Sequence, residues 1–361
     1  MKRQNTKKTI SEAVSWYSGM RPIYEQLSKK VESIIQEIIN DQKIHIHAIY
    51  CRAKEIESFT KKIEDPKYND PINQITDFSG IRIITYVESD LELVCKVLET
   101  HFEIDPENSI DKSKSLGIDK VGYRSIHYVC KLPKDRIKLP EYKKFDGLFF
   151  EIQVRTILQH GWAEIEHDKD YKFSGELPAY LKRRFKVLAG VLELADREFN
   201  QLAFEIDKYS ASVSSDTKKG KLDILIDSTS IKSYLEIKFA SLIKKGMKPA
   251  FFDENYEKKV LEELRIFGIN TLKDLDEIIP TDFAEKVLKY EKIEQNGRHN
   301  YAGLLRDIMM TVDTEKYFNE CWRRSWTGMN KNTVELIKSY KVPFDGYIKK
   351  FELEVRGVSK Y

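Results

Sequence analysis

The sequence predicts an α+β domain followed by a mainly helical one. Three observations carry this reading. Strand-like runs alternate with helical periodicity over residues 1–210; a small, polar and charged stretch interrupts the pattern at 211–221; and from 222 to 361 the periodicity is helical. The 361 residues leave room for two or three domains. With 41% hydrophobic and 33% charged residues, the chain has material for real cores and a well-solvated surface. A net charge of +3 excludes a global polycation, although basic clusters occur at Lys2, Arg3, Lys7 and Lys8, at Arg183 and Arg184, and at Arg323 and Arg324. Cys51, Cys95, Cys130 and Cys321 are too scattered for a zinc site or a disulfide framework, which fits a reducing, cytoplasmic setting. The basic N-terminus lacks the apolar segment of a signal peptide, and no run of 18 apolar residues predicts a membrane span.

The elements follow in order. Leu27, Val31, Ile34, Ile35, Ile38 and Ile39 form an apolar stripe on a helix expected over 11–40. A strand is expected at 44–51 and a helix over 53–63. The β-rich IRIITYV at 81–87 predicts a second strand, and a helix capped by Ser89 or Asp90 follows. Residues 108–120 read as a polar loop. The runs YRSIHYVCKL and GLFFEIQVRT predict two more strands, with helices over 156–168 and 178–209. The 211–221 segment is the best linker in the chain.

Four stretches carry chemistry. In CRAKEIESFTKKI, a helix would align Lys54, Ser58 and Lys62 at four-residue steps, with Arg52 at the end of the preceding strand. Two ammonium groups, a hydroxyl and a guanidinium in line suit a polyphosphate. In DFSGIRIITY, Asp77 stands at the mouth of a strand that carries Arg82, and such an acid is a common magnesium ligand. In GYRSIHY, Tyr123, Ser125 and His127 share one sheet face, where a ring, a hydroxyl and an imidazole are able to hold a base and a sugar. In FFEIQVRT, Glu151, Gln153 and Arg155 share a face, and Glu151 is the natural second carboxylate to pair with Asp77 on a metal. The row His160, Glu164, His167 lacks the four-residue histidine spacing of a zinc protease and is expected to brace the site. There is neither a Walker-type GxxxxGK[ST] loop nor kinase HRD or DFG, so a different nucleotide-binding fold is required.

Together the four ordered motifs resemble the RelA/SpoT synthetase family over residues 20–205. The resemblance implies a nucleotidyltransferase-like mixed sheet flanked by helices, and transfer of pyrophosphate from ATP to a ribose 3′-hydroxyl. By the same resemblance Arg52 and Arg82 would sandwich the adenine, and Lys54, Ser58 and Lys62 would hold the ATP phosphates. Asp77 and Glu151 would bind Mg2+, with Glu151 as catalytic base. Tyr123, Ser125, His127, Gln153 and Arg155 would serve the acceptor, and His160 and Glu164 would shape the site.

Two departures guide the finer expectation. The acceptor motif reads KVGYRSIH, without the asparagine that alarmone synthetases often place before Gly-Tyr, and a helical region follows the synthetase motifs. This layout resembles the CapRel-type fused toxin–antitoxin branch, which implies tRNA, through its 3′ CCA end, as acceptor. It also implies a C-terminal domain that restrains the enzyme until a phage protein relieves it. Lys2, Arg3, Lys7, Lys8, Arg183 and Arg184 are then candidate tRNA phosphate contacts. That branch's tyrosine pair is not found; Tyr340, Phe344, Tyr347 and Phe351 are aromatics in a comparable late position, where core packing is the simpler expectation. The alternatives are a small alarmone synthetase acting on GDP or GTP, and an inactive RNA- or partner-binding module.

Overall fold

A computed structural model describes residues 2–111, 125–172, 178–251, 253–291 and 300–356. The chain divides into two compact units, Met1–Phe204 and Glu205–Tyr361.

The first unit is a five-stranded mixed sheet with helices against it. Its elements are α1 (Lys2–Asp41), β1 (Ile46–Ala53), α2 (Ile56–Ile63), β2 (Ser79–Thr85), α3 (Glu88–His101), β3 (Glu103–Asp111), β4 (Ile126–Lys131), β5 (Phe150–Thr156), α4 (Ile157–Lys172) and α5 (Ala179–Lys218), the last running past the division. The strand order is β1-β2-β5-β4-β3. The β2–β5 pair is parallel and the others are antiparallel. One face carries Ile81, Ile83, Phe150, Ile152 and Val154, which are buried with Tyr17, Leu27, Val31 and Ile35 of α1 and Val94 and Leu98 of α3. The alternation that buries these residues sends their neighbours to the opposite face, where the polar residues gather.

Three expectations shift here. The helix expected over 53–63 begins at Ile56, because Ala53 still pairs with Ser79 and the Lys54 amide continues the ladder to the Phe78 carbonyl at 2.9 Å. The helix after β2 begins at Glu88, and the Ser89 amide donates to Asn200 Oδ1 (2.9 Å) instead of Ser89 serving as cap. Residues 103–111 form an edge strand that overlaps the expected loop. A register shift between Asp105 and Ile110 absorbs the polar EIDPENSID sequence, with the Ser109 hydroxyl donating to the Asp105 carbonyl and accepting from the Val129 amide.

The segment read as a linker is helical as far as Lys218. It ends in a Schellman turn: Lys221 N–H donates to the Asp216 carbonyl (2.9 Å) and Gly220 N–H to that of Thr217 (3.0 Å), with Gly220 at φ 73°. That left-handed position is the one the sequence fills with glycine.

The second unit is mainly helical. It contains α6 (Ser228–Lys238), α7 (Glu254–Phe267), α8 (Leu272–Ile278), α9 (Phe283–Glu291), α10 (Tyr301–Val312), α11 (Lys331–Lys338) and α12 (Phe344–Lys350). Asp227 and Thr271 cap α6 and α8 through reciprocal side-chain and backbone bonds. A buried ion pair joins α7 to α10: Arg306 donates to both oxygens of Glu263 at 2.7 and 2.9 Å, and Glu263 also accepts from Tyr317 Oη (3.1 Å) and Ser325 Oγ (2.7 Å). Phe344 is fully buried, and Tyr347 and Phe351, partly buried, stack on Phe318 with ring centroids 5.9 and 4.9 Å away, so these late aromatics pack in and against the core. Among the described residues no helix is long and apolar enough to cross a membrane.

Candidate active site

The polar face of the sheet is organised by register. Gly80 of β2 pairs with Arg52 of β1 and Glu151 of β5, placing the three on one rung. Two residues along, on the same face, Arg82 pairs with Tyr50 and Gln153, and Gln153 pairs with His127 of β4. These two rungs floor a cleft of about 300 Å³ lined by Tyr50, Arg52, Lys54, Ser58, Asp77, Arg82, Glu151 and Gln153, among others. Gly80 keeps the floor open, since a side chain there would rise between Arg52 and Glu151.

Asp77 lies just before β2 and gathers the cations. One of its oxygens, Oδ2, receives Lys54 Nζ at 2.7 Å and Lys62 Nζ at 2.9 Å. Lys54 is aimed from the strand end. Its carbonyl accepts from Tyr17 Oη (2.6 Å) and Arg21 Nε (3.2 Å) of α1, so the long helix sets the position of a phosphate-binding candidate. Burial by itself pushes the Asp77 carboxyl up, but the Lys54 and Lys62 ammonium groups outweigh it and hold the acid below the usual range. The other oxygen, Oδ1, is buried and has no partner among the described residues.

Glu151 sits at the centre of a second set. Its Oε1 accepts from Gln153 Nε2 at 2.6 Å and lies 3.1 Å from His127 Nδ1. Burial pushes its carboxyl up; the bonds from His127 and Gln153 outweigh this and leave it low, while the negative charge of Asp77 works against them. The two carboxylates therefore lie within each other's field. Among the described residues no group of three or more His, Cys, Asp or Glu side chains is arranged as a metal site. A two-carboxylate set completed by phosphate oxygens and water is, however, the usual environment of nucleotide-bound magnesium, and the buried, unpartnered Asp77 Oδ1 fits it.

The other expected residues divide. Arg52 and Ser58 line the cleft. Arg82 Nη1 donates to Glu164 Oε1 at 2.6 Å. His160 Nδ1 is 3.8 Å from the same oxygen, beyond hydrogen bonding, and burial followed by the Arg82 charge lowers its pKa while Glu164 opposes. Ser125 is buried, at 2% exposure. Arg155 points along its strand, with Nη2 donating to Gln153 Oε1 at 2.7 Å. Tyr123 lies outside the described residues, as do the side chains of Lys2, Arg3, Lys7 and Lys8; Arg183 and Arg184 are exposed on α5.

Some participants were missed. Tyr50, 55% exposed on the edge strand, and Gly80 stand two residues before Arg52 and Arg82, so a period-two reading backward from the arginines finds both. Asp196 of α5 is buried and accepts from Thr156 Oγ1 at 2.6 Å, tying the helix to the end of β5; burial pushes its pKa up to about 6, with the Thr156 bond opposing and Glu88 adding. No local pattern marks that contact.

Residues 51–176 match the family described as the region found in RelA / SpoT proteins. This region of the chain is similar to the RelA/SpoT family. Among curated relatives, the GTP pyrophosphokinase YjbM of Bacillus subtilis (strain 168) is 27% identical over 208 residues, covering 55% of this chain and 92% of its own length. The GTP pyrophosphokinase YwaC of the same organism is 28% identical over 200 residues, covering 55% and 82%. Among solved structures, small alarmone synthetase 1 from Bacillus subtilis aligns over 54% of this chain and 98% of its own, with 25% identity and a TM-score of 0.46. The expected mixed sheet with flanking helices is the fold observed.

Proposed function

We propose that the first unit is an ATP-dependent pyrophosphokinase that transfers the β,γ-pyrophosphate of ATP to a ribose 3′-hydroxyl. The observation that carries this is the meeting of Asp77, held by Lys54 and Lys62, and Glu151, held by His127 and Gln153, in one cleft beside Arg52 and Arg82. An entering triphosphate competes with Asp77 for the two ammonium groups, and the arginines bracket the base. Glu151 takes the proton of the 3′-hydroxyl as its oxygen attacks the β-phosphorus; the bond from that phosphorus to the α–β bridging oxygen breaks, and AMP leaves. Magnesium at Asp77 and Glu151, when bound, neutralises charge on the phosphates.

For the acceptor we favour the 3′ end of tRNA, with residues 222–361 acting as a fused antitoxin relieved by a phage protein. The support is the acceptor motif without its asparagine and a second unit for which the curated relatives, aligned over 55% of the chain, leave room. The names of those relatives favour a second reading, transfer to GDP or GTP. Incubation with ATP labelled in the β-phosphate, against tRNA, GDP and GTP in parallel, decides: label on tRNA is expected, and label on GDP or GTP alone overturns the tRNA reading. Restraint by the second unit is tested in the full chain with Glu263→Ala, which is expected to make expression more toxic; growth equal to that of cells expressing the unaltered chain removes it.

A further inference from the structure

We propose that Gln153 and Arg155 are positioning residues, a hydrogen-bonded relay that fixes which oxygen of Glu151 faces the reaction, rather than contacts to the acceptor. This rests on the pyrophosphokinase reading of the cleft.

The three residues occupy alternate positions of β5 and so point to one side. Arg155, 7% exposed, donates from Nη2 to Gln153 Oε1 at 2.7 Å, and Gln153 donates from Nε2 to Glu151 Oε1 at 2.6 Å. The direction of the relay is forced by chemistry. A guanidinium only donates, so the Gln153 carbonyl must face Arg155, and its amide hydrogens must then face Glu151. Without Arg155 the amide is free to flip and turn its oxygen on the carboxylate.

His127 completes the arrangement from the neighbouring strand. Its Nδ1 lies 3.1 Å from the same Oε1, and an ionised carboxylate only accepts, so Nδ1 carries a proton. Two donors therefore hold Oε1, and among the described residues none reaches Oε2. That second oxygen is the one left for the substrate hydroxyl or a metal. Arg155 does not line the cleft, which fits a role exerted through Gln153.

The test uses the full chain carrying Arg155→Met, Gln153→Met, both together, and Arg155→Lys. Each methionine variant is expected to lower kcat about 10- to 100-fold, the scale of a slightly misplaced catalytic group, with KM for ATP and acceptor within about threefold. The double variant is expected to be no worse than the poorer single one, since both break one relay, and the lysine variant to recover most of the rate. A tenfold or larger rise in acceptor KM at unchanged kcat, or losses that multiply in the double variant, overturns the relay. If Arg155→Met does not fold, Gln153→Met and Arg155→Lys carry the same comparison. If neither the unaltered chain nor the chain carrying Glu263→Ala transfers anything from ATP, the pyrophosphokinase reading fails instead. Crystal structures of the unaltered chain and Gln153→Met then decide the relay: a rotated Glu151 carboxylate supports it, and an unmoved one overturns it.

Discussion

Two carboxylates, one in each unit and both drawn out of water to different extents, meet the cost of burial differently. Glu263 in the second unit accepts four hydrogen bonds, two of them from Arg306, and both its oxygens are satisfied. Asp77 in the first receives two ammonium groups on a single oxygen and leaves the other buried and unpartnered among the described residues. A saturated pair stitches helices together; an unsaturated one keeps capacity for something that arrives later. Ion pairing alone does not mark a functional site. What separates the two is unfilled bonding capacity on a residue that lines a cleft.

The sharpest way to break this comparison is Glu151→Gln. It keeps the shape and the acceptor oxygen but removes the charge, and transfer is expected to fall at least about a thousandfold, about 4 kcal/mol, while the melting temperature barely moves. Loss of fold with loss of activity would make Glu151 a structural residue like Glu263. The converse substitution, Glu263→Ala, strands the Arg306 charge and is expected to cost about 3 kcal/mol in denaturant unfolding of the second unit; a loss below about 1 kcal/mol would deny that the saturated pair is structural.

Asp196 sharpens the contrast through pH. Its folded pKa, about 6, stands above its ordinary 3.8, so the native state holds the proton more tightly than the unfolded chain. The associated stability is complete below pH 3.8 and is lost as pH rises through about 6. Asp196→Asn keeps an acceptor for Thr156 without the charge. It is expected to raise stability by about 1–2 kcal/mol at pH 8, with the gain vanishing near pH 4 in thermal melts. A gain independent of pH would show that ionisation is not the cause. The smallest effect is expected at Tyr50, an exposed ring beside Arg82: Tyr50→Ala should raise the KM for ATP by about two- to fivefold, the worth of one stacking contact, and an unchanged KM would place Tyr50 outside the nucleotide site.

Much of the site was legible because strand periodicity is local. Alternation alone puts Glu151, Gln153 and Arg155 on one face, and Asp77 and Arg82 flank and occupy a readable strand. The helical alignment expected for Lys54, Ser58 and Lys62 is not the arrangement observed, since the helix begins only at Ile56. Lys54 extends β1, and it meets Lys62 because both turn to Asp77. The polar edge strand Glu103–Asp111 was hidden because its alternation is broken by a register shift, and an edge strand needs little apolar sequence.

The sequence by itself determined the α+β class, the apolar face of the sheet and the set of charged residues opposite it, since each follows from side-chain spacing within one segment. Only the tertiary structure decided which carboxylate holds which cation, that Gln153 and Arg155 address Glu151, and that Asp196 reaches Thr156 across 40 residues. Those choices depend on strand register and on which segments pack together. Both are settled by long-range burial and charge pairing, and neither leaves a periodic trace in the chain.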